Sequence, residues 1–494
     1  MGRRKVTLSR RAVVGTAAAA AAVALVPSFA AVQSGSGDAT LDQLLTANSD
    51  PRRRILIKNA TILSMDPAIG DFVQGDLLIE GKKILEVAAN VGNVGDAIII
   101  DARDMILIPG FVDAHRHSWE GQLRALIPNA GIIEYMGATH RGFAPFYRPQ
   151  DMYVGNLVTA LACIDAGITC LIDNSHNSRS AEHSNEAIRA LFDSGIRGVH
   201  ASGAPTFGDW QKQWPADLER LQKQFFSSED QLVTLRMYQL GLVRENLDLA
   251  RRLGLWISSE GIQPAAWMTL DAWHKEGVMD GRHTFNHMYG DIPERAWEVI
   301  KEVNATVNIC PRSDSQYLLG AGISGFQATL DHGLRPGISV DNETSYGTDM
   351  FTEMRVGYHG QRAMAQYRKS NGEANPPKPV SVRDVLEFGT VRGAWCAGLL
   401  NKIGTLTPGK EADLVLIRAN DINTMPLTNA AATVVQFAGV NNIDTVFIAG
   451  EVKKWRGTLR SKALGNDIAN LRKIVTESRD YLFAARGYKA NVLE

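Results

Sequence analysis

The sequence predicts an α/β fold: a (β/α)₈ TIM-type barrel with a flanking β-sandwich built from both ends of the chain. Three observations carry this. Between residues 109 and 403, strand-like and helix-like patterns alternate about every 30 to 40 residues, the rhythm of βαβ units. Short apolar runs separated by turns occur twice, at 54–108 and again at 404–455. Finally, histidines and acids capable of chemistry fall where the barrel strands end, at His115, His117, Glu260, His287 and Asp341. Catalytic groups of this fold sit at those C-terminal strand ends.

In chain order, residues 1–31 read as a signal peptide. Arg3, Arg4 and Lys5 give a basic start, Arg10 and Arg11 form a twin-arginine pair, and 15–26 is an Ala/Val-rich run. Small residues around Ala30 then suit cleavage. A membrane anchor is the alternative, but the run is short for a span of ~20 residues, so no stable anchor is expected after cleavage. Export across the cytoplasmic membrane, to the periplasm or outside, follows. Residues 32–53 are polar and small and read as a linker.

The first β unit is expected from Ile55-Leu56-Ile57, Ala60-Thr61-Ile62-Leu63, Asp76-Leu77-Leu78-Ile79, Ile84-Leu85-Glu86-Val87 and Ile98-Ile99-Ile100, with a tight turn at Gly81-Lys82. Its partner is expected from 413–417, 431–435, 445–448 and 451–453. Chain ends often lie together, which pairs the two sets into one sandwich. Between them, an apolar run at 105–112 leads straight into His115 and His117. Residues two apart on a strand face one side, so both imidazoles aim at one point, as a metal site needs. The remaining candidate barrel strands end near Ser175, Ser202, Gln239, Glu260, His287, Cys310 and Asp341. Helical patterns at 184–194 and 246–253 separate some of them, and 466–485 within the 456–494 extension reads as an amphipathic helix.

The formal net charge of the 494 residues is -1, with no long basic run after the N-terminus. Nucleic acid and anionic membrane are therefore not expected as partners. Cys163, Cys170, Cys310 and Cys396 are scattered without a C-x-x-C pair and read as buried thiols.

Taken in order, P-G-F-V-D-A-H-R-H at 109–117, G-I-T-C-L-I-D-N-S-H at 167–176, P-R-S at 311–313, L-R-P-G-I-S-V-D-N-E-T-S at 334–345, D-M-F-T-E-M-R at 349–355 and N-K-I-G-T-L-T-P-G-K-E-A-D-L-V-L-I at 401–417 resemble the amidohydrolase superfamily, in its cytosine-deaminase and chlorohydrolase-like branch. The resemblance spans roughly residues 54–455. It implies one divalent metal, zinc or iron, which activates water against a carbonyl-like or amidine-like carbon. It also implies metal ligands at His115, His117, strand 5 and Asp341, with His287 polarising the water or substrate.

Strand 5 departs from the family pattern. The resemblance calls for His at 260 and Glu at 263, and the chain carries Glu260 and Gln263. A carboxylate can ligate zinc or iron, so Glu260 is expected as the fourth ligand. Gln263, at the catalytic position, can hydrogen bond but cannot shuttle a proton. Glu343 is a candidate substitute, with a solvated loop acid as the alternative. Trp119, His176 and Arg312 are expected at the substrate: Trp119 with Glu120 and Arg124 shaping the pocket, His176 lining it, Arg312 binding an anionic or carbonyl group. Aromatic packing is the alternative for Trp119, and a hydrogen bond within its loop for His176. Tyr346 and Asp349 are expected to hold their loop, and His200 and His283 to be structural.

The expected function is an exported, metal-dependent hydrolase cleaving a C–N or similar leaving-group bond of a small cyclic or amide-like substrate, with a homo-oligomer left open. The altered strand 5 leaves a second reading open, a catalytically weakened relative that binds a small ligand.

Overall fold

The structure, a computed structural model, describes residues 38–493 except 49, 93, 229, 321–322 and 462–467. The segment read as a twin-arginine signal lies outside the described residues. The stretch read as linker does not stay structureless: Ala39–Ala47 is a helix whose Leu41 and Leu44 are buried against the terminal sheet. Two leucines three residues apart give that short helix an apolar edge, which composition alone concealed.

Eight parallel strands lie side by side in chain order. They are Phe111–Arg116, Ile168–Ser175, Arg197–Ser202, Val233–Leu240, Ile257–Glu260, His283–Asn286, Thr306–Ile309 and Gly337–Ile338. Every strand but the fourth and fifth is buried along its whole length, as a sheet covered by helices requires. The expected strand ends at Ser175, Ser202 and Glu260 coincide with the observed ones. The ring closes between the first and eighth strands through a parallel bridge from Arg116 to Asp341. There the Asp341 amide donates to the His115 carbonyl at 3.0 Å, and the His117 amide donates to the Asp341 carbonyl at 2.7 Å. The closing seam thus runs through three of the expected metal ligands.

The chain ends merge into one nine-stranded mixed sheet. Its halves join where Met105–Pro109 pairs antiparallel with Leu414–Arg418, Leu107 opposite Leu416. The sheet also curls back on itself, with a bridge between Lys83 and Glu411. One apolar core therefore takes Ile57, Ile79 and Val87 from the N-terminal part together with Leu416, Phe447 and Trp455 from the C-terminal part. Arg197, on the third barrel strand, ties this sheet to the barrel through Asp413 at 2.8 Å and Glu411 at 2.5 Å.

Two expected elements differ. The apolar run at 105–112 is two strands, one in each sheet, broken at Gly110. A Cβ there would lie 2.1 Å from the Thr169 hydroxyl oxygen, so the crossing between sheets admits only glycine. The run at 431–435 is helical rather than a strand. The Asn429 side chain accepts from the Ala432 amide at 2.8 Å and caps that helix. Val434 and Val435 then pack into the large core that the barrel shares with one face of the terminal sheet. The helix expected at 466–485 spans Ile468–Arg486. Its Ser478 donates to Asp151 at 2.7 Å, and Leu482 is buried beside Trp119 and Phe143 over the loops that follow the first barrel strand.

Candidate active site and metal centre

At the C-terminal end of the barrel, His115, His117, Glu260 and Asp341 converge. The His115 Nε2 lies 3.0 Å from Glu260 Oε2 and 3.3 Å from Asp341 Oδ1. The His117 Nε2 lies 3.2 Å from the same Asp341 oxygen and 3.8 Å from Glu260 Oε1. His115 Nε2, Glu260 Oε2 and Asp341 Oδ1 are buried and have no hydrogen-bond partner. Buried polar atoms are normally paired, so three orphans facing one point call for a missing electrophile. Their spacing also fits: bonds of ~2.0–2.1 Å to a tetrahedral zinc put ligand atoms about 3.3 Å apart. The residues present therefore suit the divalent metal that the resemblance implies.

The supporting contacts fix which atoms face that point. His117 Nδ1 donates to the Asn174 carbonyl at 3.1 Å, leaving the Nε2 lone pair free. The Asn174 carboxamide nitrogen lies 2.5 Å from His115 Nδ1 and holds the second ring in place. Asp341 Oδ2 accepts from Ser313 at 2.5 Å and from the Asn342 carboxamide at 3.1 Å, so Oδ1 is the exposed acceptor. Glu260 Oε1 accepts from the Tyr238 hydroxyl. His287 sits opposite, its Nε2 3.6 Å from Glu260 Oε2 and its Nδ1 2.7 Å from Asp314 Oδ1. His287 and Asp341 hold φ of 68° and 77°, left-handed conformations costly for such residues. That strain turns both side chains inward just past their strands.

The electrostatics agree with the geometry. Burial opposes charge on His115, yet the Glu260 and Asp341 carboxylates lift it to about 9. Burial likewise opposes ionisation of Glu260, but the facing His115 and His117 hold its carboxyl well below the usual range. Asp341 is depressed for the same reasons. Each acid is held as an anion chiefly by the positive histidines that face it.

Over the cluster lies a cavity of about 230 Å³, reached past Ile132, Leu240 and Leu319. Gln263 lines it at an exposed position just beyond the fifth strand. The three expected substrate residues fare differently. Arg312 turns away: its Nε bonds Glu353 at 2.5 Å and its Nη2 the Gly347 carbonyl at 2.8 Å, anchoring the helix Met350–Ser370. Trp119 is fully buried behind the cavity, packed on Tyr147 and His176. His176 is buried against His117, ring centres 4.3 Å apart, with neither nitrogen bonded. It belongs to the edge of the metal cluster, where it shares a ligand-sized group with His117 and Glu260. For Arg312 and Trp119 the strand or loop end was placed rightly, but the side chain points elsewhere.

Glu343 is neither shuttle nor solvated acid. It is buried against Arg116 at 3.6 Å and Arg124 at 2.5 Å. Arg124 is thereby committed to that pair, and Glu120 accepts from the Tyr135 hydroxyl at 2.8 Å. Asp349 caps the helix at Met350 through the Thr352 amide, at 2.6 Å, and Arg312 lies over the Tyr346 ring at 4.8 Å. His200 pairs with Asp173 and His283 with Ser259, inside the barrel wall. All four cysteines are free and buried. Sequence reading missed Asp314, Tyr238, Asn174 and His140, the last lining the cavity and stacked on His176 with ring centres 4.7 Å apart. Asp314 directly follows the P-R-S motif and Asn174 lies inside the D-N-S-H motif, so both were in view; Tyr238 and His140 had no local signal.

Comparison with known proteins agrees with this geometry. The amidohydrolase family model matches residues 106–453. The chain is 25% identical over 424 residues to a 5'-deoxyadenosine deaminase of Methanobrevibacter smithii, covering 81% of this chain and 92% of that protein. It is 24% identical over 427 residues to a 5-methylthioadenosine/S-adenosylhomocysteine deaminase of Pyrococcus horikoshii, covering 81% and 94%. Among solved structures, an adenosine deaminase from Xanthomonas campestris with bound zinc superposes with a TM-score of 0.72 at 20% identity, covering 87% of this chain and 98% of that one. An atrazine chlorohydrolase from Arthrobacter aurescens complexed with zinc gives 0.70 at 19%, covering 87% and 100%. With the barrel, the terminal sheet and a family match over most of its length, the chain belongs to the amidohydrolase family of hydrolases.

Proposed function

We propose that this protein hydrolyses a C–N bond, or displaces a comparable leaving group, on a small cyclic or amide-like substrate. The observation that carries the reading is the set of three buried, unpartnered ligand atoms on His115, Glu260 and Asp341. A divalent metal, zinc or iron, held by His115, His117, Glu260 and Asp341 would acidify a water and polarise the reacting carbon. The chain's own groups handle the proton. Asp341 Oδ1, with Oδ2 tied to Ser313, accepts it on the cavity side. His287, held by Asp314 through Nδ1, presents Nε2 to the same point and steadies the developing oxyanion. Gln263, at the mouth, orients the leaving group by hydrogen bonding without exchanging a proton.

Metal analysis of protein purified without chelator, with assays on amides, lactams, aminated heterocycles and purine nucleosides, tests this. The last group enters because the relatives above are named for such deaminations. About one metal per chain with turnover of one class is the expected result. No metal and no turnover favours a small-ligand-binding relative instead.

We also propose export by the twin-arginine route, on the basic start, paired arginines and small-residue end of the N-terminal segment. Replacing Arg10 and Arg11 by Lys should trap precursor inside the cell. Normal export of that double variant refutes it.

A further inference from the structure

We propose, resting on the hydrolase reading above, that the non-reacting part of the substrate is uncharged and apolar, seated by a collar of Ile132, Met136, Leu240 and Leu319. Charge is the first argument. Among the described residues, no lysine or arginine lines the cavity. Arg312, the nearest expected anion binder, is committed to Glu353. The lining acids, Glu260 and Asp341, both face the metal cluster, so neither is free to hold a sugar diol or an ammonium group. A charged substituent placed here would lose its water and meet no lysine or arginine in return, and among the uncharged polar side chains mainly Thr206 and Gln263.

Three of the tyrosines on the wall argue the same way. Tyr135 donates its hydroxyl to Glu120 at 2.8 Å, Tyr238 donates to Glu260, and the Tyr317 hydroxyl lies 3.0 Å from Asn342 Oδ1. Their polar ends are used within the protein, and what remains for a ligand is ring face. Tyr135 and Tyr317 stack on each other, centres 4.8 Å apart, making one continuous aromatic wall.

The mouth extends this surface outward. Leu240, the last residue of the fourth barrel strand, is 50% exposed. Ile133 and Leu318, chain neighbours of the lining Ile132 and Leu319, are 80% and 76% exposed. Their two loops are joined by the Ile132 amide donating to the Tyr317 carbonyl at 3.3 Å. Leu318 holds φ of 57°, a left-handed conformation costly for leucine. Clustered exposed apolar side chains beside a pocket mark a binding surface. The cavity itself, about 230 Å³, is below the ~300–1,000 Å³ common for ligand sites. A substrate larger than one ring must emerge through the mouth, and the collar is what it meets there.

Titration calorimetry on the metal-loaded protein with benzamide, 4-butylbenzamide, 4-carboxybenzamide and adenosine tests the proposal. The butyl compound should bind at least tenfold more tightly than benzamide, given up to about fourfold per fully buried methylene. The carboxylated compound and adenosine should bind more weakly than benzamide. Leu240→Asn and Leu319→Asn should each shrink the butyl-to-benzamide ratio severalfold, with metal content as the check on folding. An absent butyl gain, no binding of the butyl compound, or tightest binding by adenosine or the carboxylate overturns the proposal. So does a dimer in sedimentation that Leu318→Lys dissociates, because a second copy would then cover the collar. These readouts need no turnover. A butyl gain without hydrolysis of any panel member sinks the hydrolase reading alone, while hydrolysis without the gain sinks the collar alone.

Discussion

Two buried clusters of charge grow from the same first barrel strand, and they are balanced in opposite ways. Asp113 and Arg116 join Glu343 and Arg124 in one. Arg116 bonds Asp113 at 2.6 Å and reaches Glu343 at 3.6 Å, and Arg124 closes on Glu343 at 2.5 Å. The remaining Asp113 oxygen accepts from the Val340 amide at 3.1 Å. Two cations meet two anions, and the carboxylates are satisfied from within the protein. His115 and His117 join Glu260 and Asp341 in the other, where an oxygen of each acid and the Nε2 of His115 have no hydrogen bond. The first cluster locks the seam between the first and eighth strands. The second, a few residues along the same seam, leaves those atoms without a partner. The contrast teaches that buried charge alone does not mark a site; buried charge left unbalanced does.

The comparison can be broken at either end. Removing the Asp341 carboxylate with Asp341→Ala should abolish stoichiometric metal binding and cut turnover by ~10³-fold or more, read by metal analysis and initial rates. Parental metal content in that variant would mean the unpaired oxygens serve something else. The balanced cluster should respond in stability instead. Arg116→Met strands Asp113 without its cation, leaves Glu343 to Arg124 alone, and should cost about 3–5 kcal/mol of unfolding free energy. Whatever folds should keep its metal, so a metal loss without destabilisation would erase the distinction drawn above.

Smaller effects sharpen it. Glu260→Gln should weaken metal binding about tenfold or more, while Glu260→His should retain it, because both Glu and His are competent ligands. Unchanged affinity in Glu260→Gln would reduce the shell to His115, His117 and Asp341. Asp314→Asn should lower turnover by roughly 10- to 100-fold with metal content near parental, since it orients His287 and touches no ligand. Loss of metal in that variant would place His287 inside the shell.

Sequence patterning carried the barrel and the terminal sheet, the resemblance pointed to the four side chains that converge at the strand ends, and the reason is physical. Strand ends are bounded by apolar runs, and a residue that ends a barrel strand has few directions to point. Glu260 was legible as a departure because the strand Ile257–Glu260 ends on it. Helical Val434 and Val435 were not legible, because a short apolar run of β-branched residues suits a strand and a buried helix equally.

What the tertiary structure alone decided is where side chains went once their backbone positions were fixed. Arg312 follows the seventh strand as expected, but Glu353, forty-one positions later, draws it out of the cavity. Trp119 follows the paired histidines, yet Leu482 of the C-terminal helix packs in the same core and holds it behind the wall. Glu343 follows Asp341 by two residues and turns to Arg124, far upstream. The sequence alone determined the barrel, its sheet and which residues stand at the strand ends, because periodicity and strand termination are local. It left the substrate wall open, because each of those side chains answers to a partner distant in the chain.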